Sequence, residues 1–173
     1  MRAVHAVVPA GVDDPRRPSG GNSYDRQVLR GLAARGWEVH ERSVTGPWPE
    51  ADPAAQGRLA GVLDDIGDGA VVLVDGLVAS LSDRALVAAA RRLRVVPLVH
   101  LPVGPDPREG RVLDAAAVVV ATSRHTREWL LEHYALEPHR VGSPRPARGR
   151  PRWGAAPWVA APWVAGGCSR SGP

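Results

Sequence analysis

The chain of 173 residues has no lysine, no phenylalanine and a single cysteine, Cys168. One cysteine cannot build an intramolecular disulfide framework or a thiolate metal site, which excludes the disulfide-rich class of secreted domains and favours the reducing cytoplasm. The sequence also lacks an H-E-x-x-H motif, a G-x-S-x-G motif and any cluster of His and Asp at ligand spacing. It therefore predicts no metal site, no nucleophilic triad and no cofactor.

A long apolar segment is missing as well. The N-terminal run is interrupted by His5 and ends at Pro9, so it is too short for a signal peptide or a membrane-spanning helix. Arg16 and Arg17 follow in the first long loop, where they could attract an anionic acceptor or a lipid head group. A pair of loop arginines is more often only solvated surface. We predict no transmembrane segment and leave a peripheral membrane contact open.

The excess of basic over acidic charge is confined to the C-terminal part of the chain. The formal net charge is +4, yet residues 1–141 hold 17 Arg and 18 acidic residues, a net charge of −1. Residues 142–173 hold the other five Arg and no acidic residue. A folded nucleic-acid module carries its positive charge on the domain surface, so this distribution argues against nucleic acid as a partner.

Residues 142–173 also differ from the rest in composition. They contain six Gly and six Pro but no Leu or Ile. Such a segment cannot bury enough apolar surface to fold, so we expect one domain at 1–141 and a disordered tail at 142–173. The junction codons of the tail permit, in another frame, an apolar run that closes on glycine. We therefore expect the tail to be a shifted reading frame of a longer gene.

Apolar runs alternate with amphipathic stretches along the first 141 residues. The runs lie at 3–8, 37–41, 70–74, 95–100 and 115–121. Between them, residues 23–35 place Val28, Leu29 and Leu32 on one helical face, and residues 81–93 repeat this pattern. This alternation predicts an α/β fold, a Rossmann-like doubly wound parallel sheet with its ligands at the carboxyl ends of the strands.

Two adjacent glycines precede the first predicted helix. A dinucleotide-binding domain needs G-x-G-x-x-G directly after its first strand, and here Gly20 and Gly21 come only after a long loop, which argues against NAD. Glycines without side chains at a helix start still let phosphates approach the backbone N–H groups. Asn22 or Ser23 is the expected cap of this helix. The alternative is that the glycines and the polar cap only turn a surface loop into a helix.

Three segments resemble glycosyltransferase family 4, which has the GT-B fold. They are PSGGNSYDRQVLRGLAARGWEVHE at 18–41, RVVPLVHLP at 94–102 and AAAVVVATSRHTREWLLEHYALEPHRV at 115–141. The resemblance implies that the chain carries the N-terminal, acceptor-side domain of a retaining enzyme that moves a sugar from a nucleotide-sugar donor to an unknown acceptor. Members of this family are held to work without a catalytic metal, so the resemblance also agrees with the absence of a metal motif.

The resemblance assigns roles to particular side chains. His100 matches the histidine beside the transferred sugar, and Gly20, Gly21 and Asn22 match the segment that binds the donor phosphates. Ser123 is first of all a helix cap and, by resemblance, a possible phosphate contact. Asp75 ends a predicted strand at the rim, a position where an acid can meet an acceptor hydroxyl. A satisfied structural histidine remains the alternative for His100.

One family feature is missing from the chain. The donor-side domain of the family carries two glutamates eight positions apart, and no two glutamates of this sequence have that spacing. We therefore expect the chain alone to be inactive in sugar transfer. The alternative from another functional class is a catalytically silent α/β binding module.

Overall fold

A computed structural model describes residues 2–14, 16 and 19–143. Arg17 and residues 144–173, with most of the expected tail, lie outside the described residues. The described part has six strands, which are β1 (Arg2–Pro9), β2 (Trp37–Val44), β3 (Val71–Asp75), β4 (Arg94–Val99), β5 (Val119–Ala121) and β6 (Val141–Gly142). Its helices are α1 (Gly20–Ala33), α2 (Pro53–Asp64), α3 (Gly76–Ala79), α4 (Asp83–Ala89), α5 (Pro107–Ala115) and α6 (Arg124–His133).

The strands form one all-parallel sheet in the order β2-β1-β3-β4-β5-β6. The chain leaves β1 toward one edge of the sheet and returns past it to β3, so the direction of winding reverses between these two strands. The prediction of a Rossmann-like, doubly wound α/β fold is therefore confirmed. Ligands of such sheets bind at the carboxyl ends of the strands, beside this reversal.

Both faces of the sheet are covered by helices. On β3, Leu73 packs in the cluster that contains Leu29 and Leu32 of α1, whereas its neighbours Val72 and Val74 pack on the opposite face with residues of α2 and α4. This alternation follows from the two-residue period of a strand. It explains why the apolar runs are continuous rather than alternating.

The fifth strand is shorter than the sequence predicts. The apolar run at 115–121 was expected to be extended throughout, but Ala115 is the last residue of α5 and β5 begins only at Val119. Alanine favours helix more than valine does, and Asp106 caps α5 by accepting a hydrogen bond from the backbone N–H of Arg108. At the other end of the domain, β6 includes Gly142 and so crosses the expected boundary at 141 by one residue.

None of the helices in the described part of the chain is long and apolar enough to cross a bilayer.

Candidate functional site

The first turn of α1 lies at the carboxyl edge of the sheet, after the loop that follows β1. Ser19 caps this helix, because its Oγ accepts a hydrogen bond from the backbone N–H of Asn22. The prediction that Asn22 or Ser23 would be the cap is therefore wrong: the helix starts earlier, and Gly20 and Gly21 are its first two residues. The first N–H groups of a helix have no partner within it, so those of the two glycines are placed to meet an anion.

His100 is the residue that follows β4, as the sequence predicted for a rim position. Its ring lies against the start of α1. A Cβ atom added to Gly21 would be 3.1 Å from Cδ2 of His100, closer than side chains normally pack. The ring edge of Tyr24 also meets His100, with 5.5 Å between the ring centroids. Gly21 thus provides the space that His100 occupies, and the two expected site elements are in contact.

Two buried carboxylates lie beside Nε2 of the His100 ring. Nε2 of His100 lies 2.9 Å from Oδ1 of Asp25 and 3.6 Å from Oδ2 of Asp75. Asp25 is 1% exposed and Asp75 is 2% exposed. Nε2 and both oxygens of Asp25 have no partner in hydrogen-bond geometry, so the contact between them is an ion pair rather than an aligned hydrogen bond. We call Asp25, Asp75 and His100 the acid–histidine cluster.

Burial and charge act in opposite directions on the titration of this cluster. Burial alone would lower the pKa of His100, but the carboxylates of Asp25 and Asp75 outweigh it and raise the pKa to about 9. Burial raises the pKa of Asp25 to about 7, against the opposing effect of His100. Burial also acts to raise the pKa of Asp75, yet the interactions with His100 and Asp25 hold it below its usual value. His100 is therefore positively charged at neutral pH, and Asp75 is negatively charged.

Hydrogen bonds to the start of α3 also fix the position of the Asp75 side chain. It is the N-cap of α3, and its Oδ1 accepts hydrogen bonds from the backbone N–H groups of Leu77 (2.8 Å) and Val78 (3.3 Å). The next residue, Gly76, packs so closely on β4 that an added Cβ would lie 2.7 Å from the carbonyl oxygen of Leu98. The carboxylate is directed at His100 and at the start of α3, so an acceptor hydroxyl would reach it only beside His100.

A second buried network holds the segment after His100. Glu109 accepts a hydrogen bond from the Oγ of Ser80 (2.8 Å), and the hydroxyl of Tyr134 lies 2.7 Å both from Oε2 of Glu109 and from the carbonyl oxygen of Gly104. Burial raises the pKa of Glu109, and burial together with Glu109 raises the pKa of Tyr134. These bonds join α3, α5, α6 and the loop that carries His100.

Ser123 caps α6, as predicted. Its Oγ accepts a hydrogen bond from the backbone N–H of Thr126 (3.0 Å), and the hydroxyl of Thr126 donates to the carbonyl oxygen of His100 (3.2 Å). The α6 start therefore holds the backbone of His100. A phosphate contact of Ser123 remains a prediction.

The remaining candidates lie away from this cluster. Arg16 is exposed, and its backbone N–H donates to Oδ1 of Asp14. Within the part of the chain that the structure describes, its side chain has no contact that assigns it a ligand. His5 on β1 and His40 on β2 stack on each other with ring centroids 4.9 Å apart. Burial and the neighbouring His40 and Arg42 lower the pKa of His5.

Asp25 is the site residue that sequence reasoning missed. It lies four positions after Gly21 and four before Leu29, so it falls on the apolar face of α1. An acid on the core face of a helix indicates a buried partner, since Asp is almost never fully buried unpaired. That signal was available in the sequence.

The acid–histidine cluster also has the composition of a metal site. One ligand atom from each residue lies within 4.8 Å of the others, and this is the one such group of three among the described residues. Ligand spacing along the sequence could not indicate it, because the three residues lie on α1, at the end of β3 and after β4. The chain matches no protein-family model, and no curated protein is significantly similar to it.

Proposed function

We propose that the described residues form the acceptor-side half of a retaining GT-B glycosyltransferase, which moves a sugar from a nucleotide-sugar donor to an acceptor. The observation that carries the proposal is the contact between Gly21 and His100. A helix start that can bind phosphate and a histidine that can bind a sugar hydroxyl lie side by side at the carboxyl edge of the sheet.

Electrostatics at this edge suit a nucleotide sugar. The backbone N–H groups of Gly20 and Gly21 and the positive end of the α1 dipole favour the negative charge of a diphosphate. The transferred sugar becomes positively charged in an oxocarbenium-like transition state, so a lone cation beside it would be unfavourable. Asp25 and Asp75 offset the charge of His100, which lets the ring donate a hydrogen bond without an excess of positive charge.

Exposed apolar residues at the same edge fit a two-domain enzyme. Leu101 and Val103 follow β4, Leu77 follows β3, and these are the exposed large apolar side chains of the described residues. A second domain that closes over this edge would cover them and supply the donor contacts that the proposed acceptor-side half lacks. We therefore expect the chain to bind a donor weakly and to need a donor-side domain for transfer.

Binding tests the proposal without requiring turnover. The full chain is titrated with a panel of uridine, guanosine and adenosine diphosphate sugars, and ligand-observed saturation-transfer NMR reports contact. We expect one nucleotide class to bind with a millimolar dissociation constant, and both His100→Ala and Gly21→Ala to weaken it.

Gly31→Ala is the matched control, because it makes the same change on α1 away from the site, where an added Cβ would lie 3.7 Å from the Arg35 side chain. Binding that the two site variants leave unchanged, or no binding of any donor, would overturn the proposal.

A further inference from the structure

Different atoms of the His100 ring have different neighbours. Cδ2 and Cγ face Gly21, and Nε2 faces the carboxylates of Asp25 and Asp75. The side chain is 18% exposed, so part of the ring still reaches solvent. With Nε2 held between two acids, Nδ1 is the ring nitrogen left for a ligand.

The position of the ring proton follows from the charges around it. A neutral imidazole carries a proton on one nitrogen and a lone pair on the other. A lone pair on Nε2 would face two carboxylates at 2.9 and 3.6 Å, which is repulsive, whereas an N–H there is attracted by both. Carboxylates commonly select the tautomer of a functional histidine in this way.

Asp25 is buried beside His100 and Asp75, and of these two neighbours only His100 offers it a positive charge. One oxygen of Asp75 is used by the start of α3, but neither oxygen of Asp25 has a partner in hydrogen-bond geometry. A buried carboxylate without a compensating charge is strongly destabilising, and an apolar residue at this position of α1 would serve the core better. The acid at position 25 is therefore explained by its interaction with His100 and not by the packing of α1.

We propose that Asp25 is a positioning residue for His100: together with Asp75 it keeps a proton on Nε2 and presents Nδ1 to the ligand. Asp25 also links the two site elements, because it lies one helical turn after Gly21 on the same face of α1. A positively charged ring donates from Nδ1 to a phosphate or hydroxyl oxygen, and a neutral ring accepts there. The identity of the ligand rests on the proposed function. The protonation of the His100 ring does not depend on it.

The test observes the ring directly. Two-bond ¹H–¹⁵N NMR spectra of the full chain, labelled with ¹⁵N-histidine, are recorded across a pH series. We expect the neutral form of His100 to carry its proton on Nε2. In Asp25→Asn the midpoint of the His100 titration should fall by roughly one to three pH units, the usual effect of removing a neighbouring opposite charge. Asp75→Asn should lower it as well.

Asp52→Asn is the matched control, since Asp52 also caps a helix, α2, through its side chain, and it does not belong to the cluster. This variant should leave the His100 titration unchanged. A proton on Nδ1 of the neutral wild-type ring would overturn the inference, and that measurement requires no variant to fold. An Asp25→Asn shift no larger than that of the control, or stoichiometric zinc in the purified chain by mass spectrometry, would also overturn it.

These outcomes are separable from those of the donor titration. A ring with its proton on Nε2 in a chain that binds no nucleotide sugar would uphold the positioning role and reject the proposed function. Donor binding by a chain whose His100 ring carries the proton on Nδ1 would uphold the proposed function and reject the positioning role.

Discussion

Gly21 and His100 are packed so closely that the site has no room for a methyl group between them. An added Cβ on Gly21 would lie 3.1 Å from Cδ2 and 3.3 Å from Cγ of the ring, whereas a Cβ on Gly20 would meet no described residue within 4 Å apart from its chain neighbours and the backbone of α1. The two adjacent glycines therefore have different roles: Gly20 leaves the helix start open, and Gly21 accommodates the ring.

This difference predicts opposite effects of the same substitution. Ala favours helix over Gly by up to about 1 kcal/mol, so Gly20→Ala should raise the free energy of unfolding slightly. Gly21→Ala gains the same propensity but must displace the His100 ring from Asp25, so it should be less stable than Gly20→Ala by about 1 kcal/mol or more. Urea unfolding measures both. If Gly20→Ala and Gly21→Ala have equal free energies of unfolding, the His100 ring moves away from the added methyl group without loss of stability, which contradicts this prediction.

The acid–histidine cluster predicts that stability decreases as the pH rises from neutrality. His100 has a raised pKa in the folded chain, so its contribution is complete below 6.5 and is lost as the pH rises through about 9. Asp25 also has a raised pKa, and its contribution is lost between 3.8 and about 7. The free energy of unfolding should therefore fall between pH 6.5 and 9, by about 3 kcal/mol at most.

Unfolding in urea at a series of pH values measures this slope. Asp25→Asn/His100→Gln should flatten the curve in that window, because it removes both the group that releases its proton there and the carboxyl whose pKa would rise into the window without His100. His40→Gln is the control, since it removes an imidazole that lies outside the cluster, stacked on His5 and 3.2 Å from Glu38. The fall between pH 6.5 and 9 should remain in this variant, because His100 is still present. A wild-type curve that is flat or rises from pH 6.5 to 9 would contradict the electrostatic account of the cluster.

The Glu109 network predicts that Tyr134 supports the site from a distance. Tyr134→Phe keeps the ring packing but removes the hydroxyl that contacts Glu109 and Gly104, and it leaves a buried carboxylate with one donor fewer. We expect a loss of roughly 1–3 kcal/mol of stability. Amide hydrogen exchange should also become faster at Asp106, whose backbone N–H donates to the Tyr134 oxygen.

A double-mutant cycle with Ser80→Ala checks that the effect acts through Glu109. Both hydroxyls bond the same carboxylate, so the two losses should not add. Additive effects would mean that Tyr134 acts only on the loop backbone.

The fold could be predicted from sequence because its signals are local. Apolar runs such as the one ending at Val99 identify buried strands, and the stripe of Val28, Leu29 and Leu32 identifies a helix that covers them. The boundaries were less accurate. Ser19 begins α1 earlier than the apolar stripe does, and the alanines before Val118 have no periodicity that separates the end of a helix from the start of a strand.

The site could be predicted only in part, since its contacts join distant segments. The position of His100 after an apolar strand marked it as a rim residue, and the paired glycines marked the start of α1. Their contact with each other depends on strand order, because β3 must lie beside β1 on the side opposite β2, and β4 must lie beside β3. Only that arrangement shows that the carboxylates of Asp25 and Asp75 lie beside His100.

The location of donor binding tests the central claim most directly. The ¹H–¹⁵N NMR spectrum of the full chain is recorded while the nucleotide sugar that binds best is added. The proposed function predicts that the largest shifts occur at the backbone amides of Gly20, Gly21 and Asn22 and at the ring of His100, and that inorganic pyrophosphate reproduces only those at the helix start. Shifts that leave Gly21 and His100 unaffected, such as a set confined to the groove between α2 and α4, would contradict it.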